Sequence, residues 1–108
     1  MKKISIIFFL FVIVLNTSIS AETWSRYMGI MDWYSASAKC RSIGMRLPTL
    51  DELKAAYNAG ITKSWQKDGD YYWSSTPYDA ESYYVFVVAD GSTDYDYRRN
   101  NGYVRCRR

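Results

Sequence analysis

Histidine is absent from the 108 residues, and its absence removes the commonest general base and the commonest transition-metal ligand in one step. A hydrolase triad of the usual form is excluded. Cysteine is scarce, with Cys40 and Cys106 the only two. Neither follows the apolar run near the amino terminus, so a lipid-attached terminus has nothing to attach to. A stretch long enough to cross a membrane is also lacking: the run Ile4 to Leu15, interrupted only by Ser5, is short against a hydrocarbon core of roughly 30 Å. No stable membrane anchor is expected, and no internal repeat or low-complexity tract is present.

What does stand at the amino terminus is Lys2 and Lys3, the apolar run, and the mostly small or polar residues Asn16 to Ala21. These are the three zones of a secretory signal peptide. Residues 1–21 are assigned to that signal, with cleavage after Ser20 or Ala21, and residues 22–108 to one domain. Export to the periplasm or the cell exterior is the expected localisation. The remaining 87 residues of the 108 make a domain whose core alone is marginal. In an oxidising compartment two cysteines are read by default as a disulfide, here closing nearly the whole domain. Without Lys2 and Lys3 the formal net charge falls from +3 to +1. The charges are unevenly placed, with Arg98, Arg99, Arg105, Arg107 and Arg108 at the end and Asp68, Asp70, Asp79, Glu81, Asp90, Asp94 and Asp96 in the middle. Nucleic acid and cofactors are not expected as partners.

The stretch Arg46 to Leu53 organises the chain. Pro48 drives Leu47 out of helical backbone space and needs no donor where a helix start has donors to spare. Thr49 and Glu52 then form a capping box, each side chain bonding the other's backbone N–H. Before this turn, Asp32 is a good N-cap, and Trp33, Ala36, Cys40 and Ile43 make one apolar helix stripe that Gly44 ends. After it, a second helix is predicted from Leu50 to Ala59, with Leu53, Ala56 and Tyr57 inward and Gly60 as its stop. Glu22 to Ile30, carrying Trp24 and Tyr27, reads as an edge strand ended by Gly29.

From Ile61 onward the pattern reads as sheet. Tyr71 to Ser75 is one strand; Tyr83 to Ala89 is another, apolar on both faces and so covered on both sides. Asp90-Gly91 is predicted as a two-residue hairpin turn leading into Ser92 to Tyr97. There Thr93, Tyr95 and Tyr97 share one face, while Ser92, Asp94 and Asp96 share a wet one. Tyr103 to Arg107 forms the last strand, Val104 and Cys106 pointing one way, Tyr103, Arg105 and Arg107 the other.

The spaced set Trp33, Ala36 and Cys40, then Arg46-Leu47-Pro48-Thr49 with Glu52-Leu53, then Tyr72-Trp73-Ser74-Ser75-Thr76, then Val104-Arg105-Cys106 resembles the bacterial DUF1566 domain. That domain is also called the Lcl C-terminal domain, after a collagen-like adhesin of Legionella, and has a C-type-lectin-like fold. The resemblance covers nearly all of residues 22–108. It implies an α+β domain of two short helices on a twisted antiparallel sheet, closed by the two cysteines. It also implies surface adhesion and binding of glycosaminoglycan-like polysaccharides. Two features depart from such relatives. No collagen-like Gly-X-Y region precedes the domain, so trimerisation through a stalk is not assumed and the oligomeric state stays open. The Glu-Pro-Asn or Gln-Pro-Asp loop and Trp-Asn-Asp strand of calcium-dependent lectins are missing, with Trp73-Ser74-Ser75 where the latter would be sought. The Arg-Leu-Pro-Thr element is similar to that of the formylglycine-generating enzymes too, but their active-site cysteine pair has no counterpart once Cys40 and Cys106 are assigned to the staple.

The acid pairs Asp68/Asp70 and Asp94/Asp96 are of the residue type for acid-base or hard-cation sites, yet both lie around turns or on a wet strand face. Asp68-Gly69-Asp70 lacks the other positions of a calcium loop, and no metal is predicted. Ser74, Ser75 and Thr76 have nothing nearby to activate a hydroxyl and are assigned to hydrogen bonding inside the fold. Trp33 and Trp73 are assigned to the core, Arg46 and Arg105 to anchoring Glu52 or Asp51. Tyr78, Tyr83, Tyr95, Tyr97, Tyr103 and Trp65 are the rings expected to show an exposed edge. Arg98, Arg99 and Arg107 with Tyr95, Tyr97 and Tyr103 form the candidate ligand patch, because guanidinium forks suit sulfate and carboxylate groups and tyrosine rings suit sugar faces. The expected function is a non-enzymatic, adhesin-like module for a polyanionic glycan. The alternatives are a protein-binding module or periplasmic inhibitor and, behind these, an enzyme of the formylglycine-generating type.

Overall fold

The computed structural model of the chain describes residues 23–65 and 67–108; the expected signal segment lies outside them. In chain order the elements are β1 (Ile30–Met31), α1 (Trp33–Ser42), α2 (Leu50–Asn58), a 3-10 helix (Ile61–Trp65), β2 (Tyr71–Pro77), β3 (Ser82–Val87), β4 (Ser92–Tyr97) and β5 (Gly102–Tyr103). The fold is α+β, two helices packed on a five-stranded sheet of order β1-β5-β2-β3-β4.

Both helices start and stop where local chemistry dictates. The Ser35 N–H donates to Asp32 Oδ1 at 2.8 Å, filling one of the orphan donors of the first turn. Gly44 and Gly60 follow the two helices at φ 73° and 81°, the left-handed conformation that glycine adopts without penalty. At α2 the capping box forms as expected: the Glu52 N–H donates to Thr49 Oγ1 at 3.1 Å and the Thr49 N–H to Glu52 Oε1 at 2.9 Å.

The sheet separates two clusters. Neighbouring residues of a strand point to opposite faces, and β2 and β3 pair Trp73 with Val85 and Tyr72 with Phe86. Trp73 and Val85 pack with Ala36 and Cys40 of α1, Val104 and Cys106. Tyr72 and Phe86 pack with Leu50 and Leu53 of α2 and with Trp65. The two helices therefore cover opposite faces of the β2–β3 pair, which accounts for the apolar residues on both sides of β3. Cys40 and Cys106 are bonded, with their Cα atoms 5.4 Å apart, and both are fully buried.

An irregularity in β2 docks the organising turn. Between Trp73 and Pro77 the register with β3 shifts, as a bulge does where a strand must re-aim a side chain. Ser74 Oγ donates to the Tyr84 carbonyl at 2.7 Å and accepts from the Thr76 N–H at 3.1 Å. That leaves the Ser75 N–H free to donate to the Pro48 carbonyl at 2.7 Å, and Thr76 Oγ1 to accept from the Leu50 N–H at 3.0 Å. The three hydroxyl residues thus hold the Arg46–Leu53 turn on the sheet, the structural role expected of them.

Five expectations are corrected. The sheet is mixed, not antiparallel, because β5 lies across β2 from β3 and meets it in parallel at Tyr72 and Tyr103. The segment after Ile61 begins with a 3-10 turn, whose three-residue period buries Thr62 and Trp65 on one side. The amino-terminal strand is shorter and later, at Ile30–Met31, while Trp24 makes only an isolated bridge to Arg107; Gly29 precedes the strand and does not end it. The β3–β4 connection has four residues, since Val87 pairs directly with Ser92, and Asp90 Oδ1 caps the Ser92 N–H at 3.0 Å. The last strand is β5 alone; beyond it Val104 and Cys106 are buried and Arg105 and Arg107 half-buried, so the expected alternation persists without a continuous ladder.

Candidate functional site

Of the candidate residues, Tyr97, Arg98 and Arg99 come together. Where β4 ends, the Arg98 N–H donates to the Glu81 carbonyl at 3.0 Å and the Asn100 N–H to the Tyr97 carbonyl at 2.9 Å. This turn and the β2–β3 loop enclose a hollow of about 250 Å³ lined by Glu81, Tyr97, Arg98, Arg99 and Asn100. Asn100 is held from beneath by Nδ2 donating to Asp96 Oδ1 at 2.7 Å. The Arg98 guanidinium lies 5.2 Å from the centre of the Tyr34 ring, which holds it by cation–π attraction. Glu81 places one negative charge at the rim.

Exposed rings lie along the strand that leads into the hollow. Tyr95 lies on the same strand face as Tyr97, and its ring stacks on Tyr78 with centroids 3.8 Å apart. Tyr34, Tyr78, Tyr95 and Tyr97 are 52%, 45%, 48% and 59% exposed, so four rings of this small domain face solvent, Tyr34 from α1 and the other three from β4 and the β2–β3 loop. The proximity of the Tyr95 hydroxyl raises the Tyr78 hydroxyl above the ordinary phenol range. The expected wet face of β4 is only half the picture, since all but Asp96 of the strand is exposed.

Arg107 and Tyr103 are elsewhere. Arg107 Nε approaches Glu52 Oε2 at 3.9 Å, and its guanidinium lies over the Trp24 ring at 5.4 Å. Tyr103 is half-buried against Tyr27, Tyr71 and Tyr72. Arg46 does anchor Glu52, donating from Nη1 and Nη2 at 2.7 and 2.8 Å. That bond, followed by the Thr49 N–H and the nearby Arg107, holds the Glu52 carboxyl at about 2 despite its burial. Arg105 is structural too, but its partner is Asp68, not Glu52 or Asp51; it also donates to the Ser25 carbonyl at 3.1 Å and covers the Trp65 ring. Trp65, expected to show an edge, is 3% exposed. Trp73 is core, its Nε1 donating to the Met31 carbonyl at 2.9 Å. Trp33 is half-buried and donates to the Ser74 carbonyl at 2.9 Å.

Sequence reasoning missed Tyr34, Glu81 and Asn100. Tyr34 was findable, because the stripe of Trp33, Ala36, Cys40 and Ile43 leaves it on the outer side of α1. Nothing local marks Glu81 or Asn100, which the hollow acquires only through strand pairing.

Two arginines, an asparagine and a tyrosine lining one open hollow are residue types suited to recognition: charge-assisted bonds to anions and stacking on ring-shaped ligands. The fold and this surface describe a small disulfide-closed binding domain. The chain belongs to the adhesion-domain family: the family model InvE_AD, described as an adhesion domain, matches residues 14–107. No curated protein matches it. Among the described residues no helix is long and apolar enough to cross a membrane.

Proposed function

We propose that this chain is an exported, non-enzymatic adhesin module that binds a polyanionic glycan of the glycosaminoglycan type through Tyr97, Arg98, Arg99 and Asn100. The observation that carries the reading is the 250 Å³ hollow in which two arginines and a tyrosine meet, in a chain of the adhesion-domain family. The motif order shared with the DUF1566 or Lcl C-terminal domain supports the same reading and a C-type-lectin-like kinship. Arg107 leaves the patch, because it is committed to Glu52 and Trp24. A catalytic role of the formylglycine-generating type would require free thiols, and both cysteines are bonded to each other.

The test is retention on immobilised heparin across a salt series. Binding through two phosphate-like or sulfate contacts weakens as salt rises, since counterions are released on association. The R98A/R99A double variant is expected to lose most retention at low salt while remaining folded. Equal retention of the variant, or retention indifferent to salt, would count against the reading. A second reading, docking of a surface protein on the tyrosine face, is favoured by the exposure of Tyr78, Tyr95 and Tyr97. Salt-insensitive capture of one defined protein, abolished by Y95A but not by R98A/R99A, would select it.

A further inference from the structure

A second hollow, of about 320 Å³, lies beyond the first turn of α1 and involves different residues. Its lining includes Trp33 and Tyr83, whose rings are stacked on each other with centroids 3.9 Å apart and planes 9° from parallel. Its polar lining includes Ser37, Arg41, Arg46 and Ser75. Tyr83 reaches it from β3, Ser75 and Pro77 from β2, Arg46 and Leu47 from the turn before α2, and Trp33, Ser37 and Arg41 from α1. It is separate from the Tyr97–Asn100 hollow, although the Trp33 N–H donating to the Arg98 carbonyl at 3.0 Å makes the two neighbours.

The bonding state of each polar group decides what the hollow can take. Both Nη atoms of Arg46 are occupied by Glu52, so Arg46 is neutralised as an anion receptor. Arg41 bonds only the Ser37 hydroxyl, Nη1 donating to Oγ at 2.7 Å, and no carboxylate among the described residues pairs with it. One uncompensated guanidinium therefore remains. Ser37 Oγ, having accepted from Arg41, keeps its O–H to donate; Ser75 Oγ, which donates to the Pro48 carbonyl at 3.3 Å, keeps its lone pairs to accept. Aromatic lining, one donor, one acceptor and one cation match a pyranose ring with hydroxyls and a single acid group. We propose that this hollow binds a hexuronate residue, its carboxylate on Arg41 and its C–H face on the Trp33–Tyr83 stack.

The proposal stands independently of the Arg98–Arg99 reading. It is tested by titrating the disulfide-bonded chain with glucuronate and following the Trp33 indole N–H signal by NMR, with glucose and acetate as controls. Glucuronate is expected to shift that signal, and glucose and acetate are not. The R41A variant should weaken glucuronate binding by about tenfold or more, the loss of one charge-assisted bond. An unshifted Trp33 signal, equal shifts with either control, or an R41A titration matching that of the unaltered chain would each overturn the proposal. Since Arg41 lies on the exposed side of α1, its loss does not endanger folding.

Discussion

Arg46 grips Glu52 from six residues upstream, across the Pro48 turn, with both guanidinium nitrogens within 2.8 Å of the carboxylate. The same carboxylate caps the Thr49 N–H, so one side chain joins the turn, the helix start and, through Arg107, the end of the chain. Because its folded value is about 2, below the ordinary 4.5, the pair stabilises the fold fully above about pH 4.5 and is lost as pH falls toward 2. Glu52→Gln keeps an acceptor for Thr49 and removes the charge. It should cost about 1–2 kcal/mol at pH 7, the exposure of Arg46 holding the figure down. Urea unfolding of both forms between pH 7 and pH 2 checks this: the gap should close in acid.

The disulfide spans 66 residues and joins α1 to the chain end. In the chain-entropy treatment a loop of this size contributes on the order of 4 kcal/mol, a large share of what so small a core supplies. Reduction, or a C40A/C106A replacement, is expected to lower the urea midpoint steeply or to abolish the folded state at 37 °C. Circular dichroism with and without reductant measures it.

Gly69 has no room for a methyl group. A Cβ there would fall 1.8 Å from Tyr103 Cδ2, and Tyr103 is confined by Tyr27, Tyr71 and Tyr72, so its ring has little freedom to yield. Gly69→Ala should destabilise by about 1–3 kcal/mol, read by thermal unfolding. The Arg98–Arg99 hollow is remote from this contact, so heparin retention of the folded fraction should be unchanged.

The edge strand β4 carries its own guard. Its Tyr95 and Tyr97 N–H groups each donate to the preceding aspartate, Asp94 Oδ1 and Asp96 Oδ1, at 2.8 Å. An exposed edge otherwise offers such donors to another chain. D94A/D96A should raise self-association relative to the unaltered chain, by sedimentation velocity. D94N/D96N keeps the acceptors and removes only the charge; if it associates as strongly as the alanine variant, repulsion is the guard and capping is not.

Tyr97 and the arginines should separate in the heparin assay. Tyr97→Ala removes stacking area without removing charge, so binding should fall by about five- to tenfold with the salt slope retained. R98A/R99A should flatten that slope.

The helices were legible because their signals are local. Asp32, the Thr49–Glu52 box, Gly44 and Gly60 each act within one turn of the residues they cap, and the apolar stripe of α1 marks Cys40 as inward without reference to its partner. The irregular half was harder. Trp65 reads as a surface ring until Trp24, Tyr72 and Arg105 close over it. Arg105 reads as a partner for the α2 carboxylates until the path of the chain end brings it to Asp68.

The candidate patch divides in the same way. Arg98 and Arg99 adjoin Tyr97 in the chain, and one turn keeps them together. Arg107 and Tyr103 adjoin them only in a list of residue types, and the crossing of β5 to the far side of β2 carries both away. Glu81, Asn100 and the stacking of Trp33 on Tyr83 depend on strand order, which is set by long-range pairing and by which apolar faces bury best. Caps, stops and face periodicity act over a few residues and so belong to the sequence alone. Which rings stay in the open and which charges remain unpaired was decided only when distant segments met.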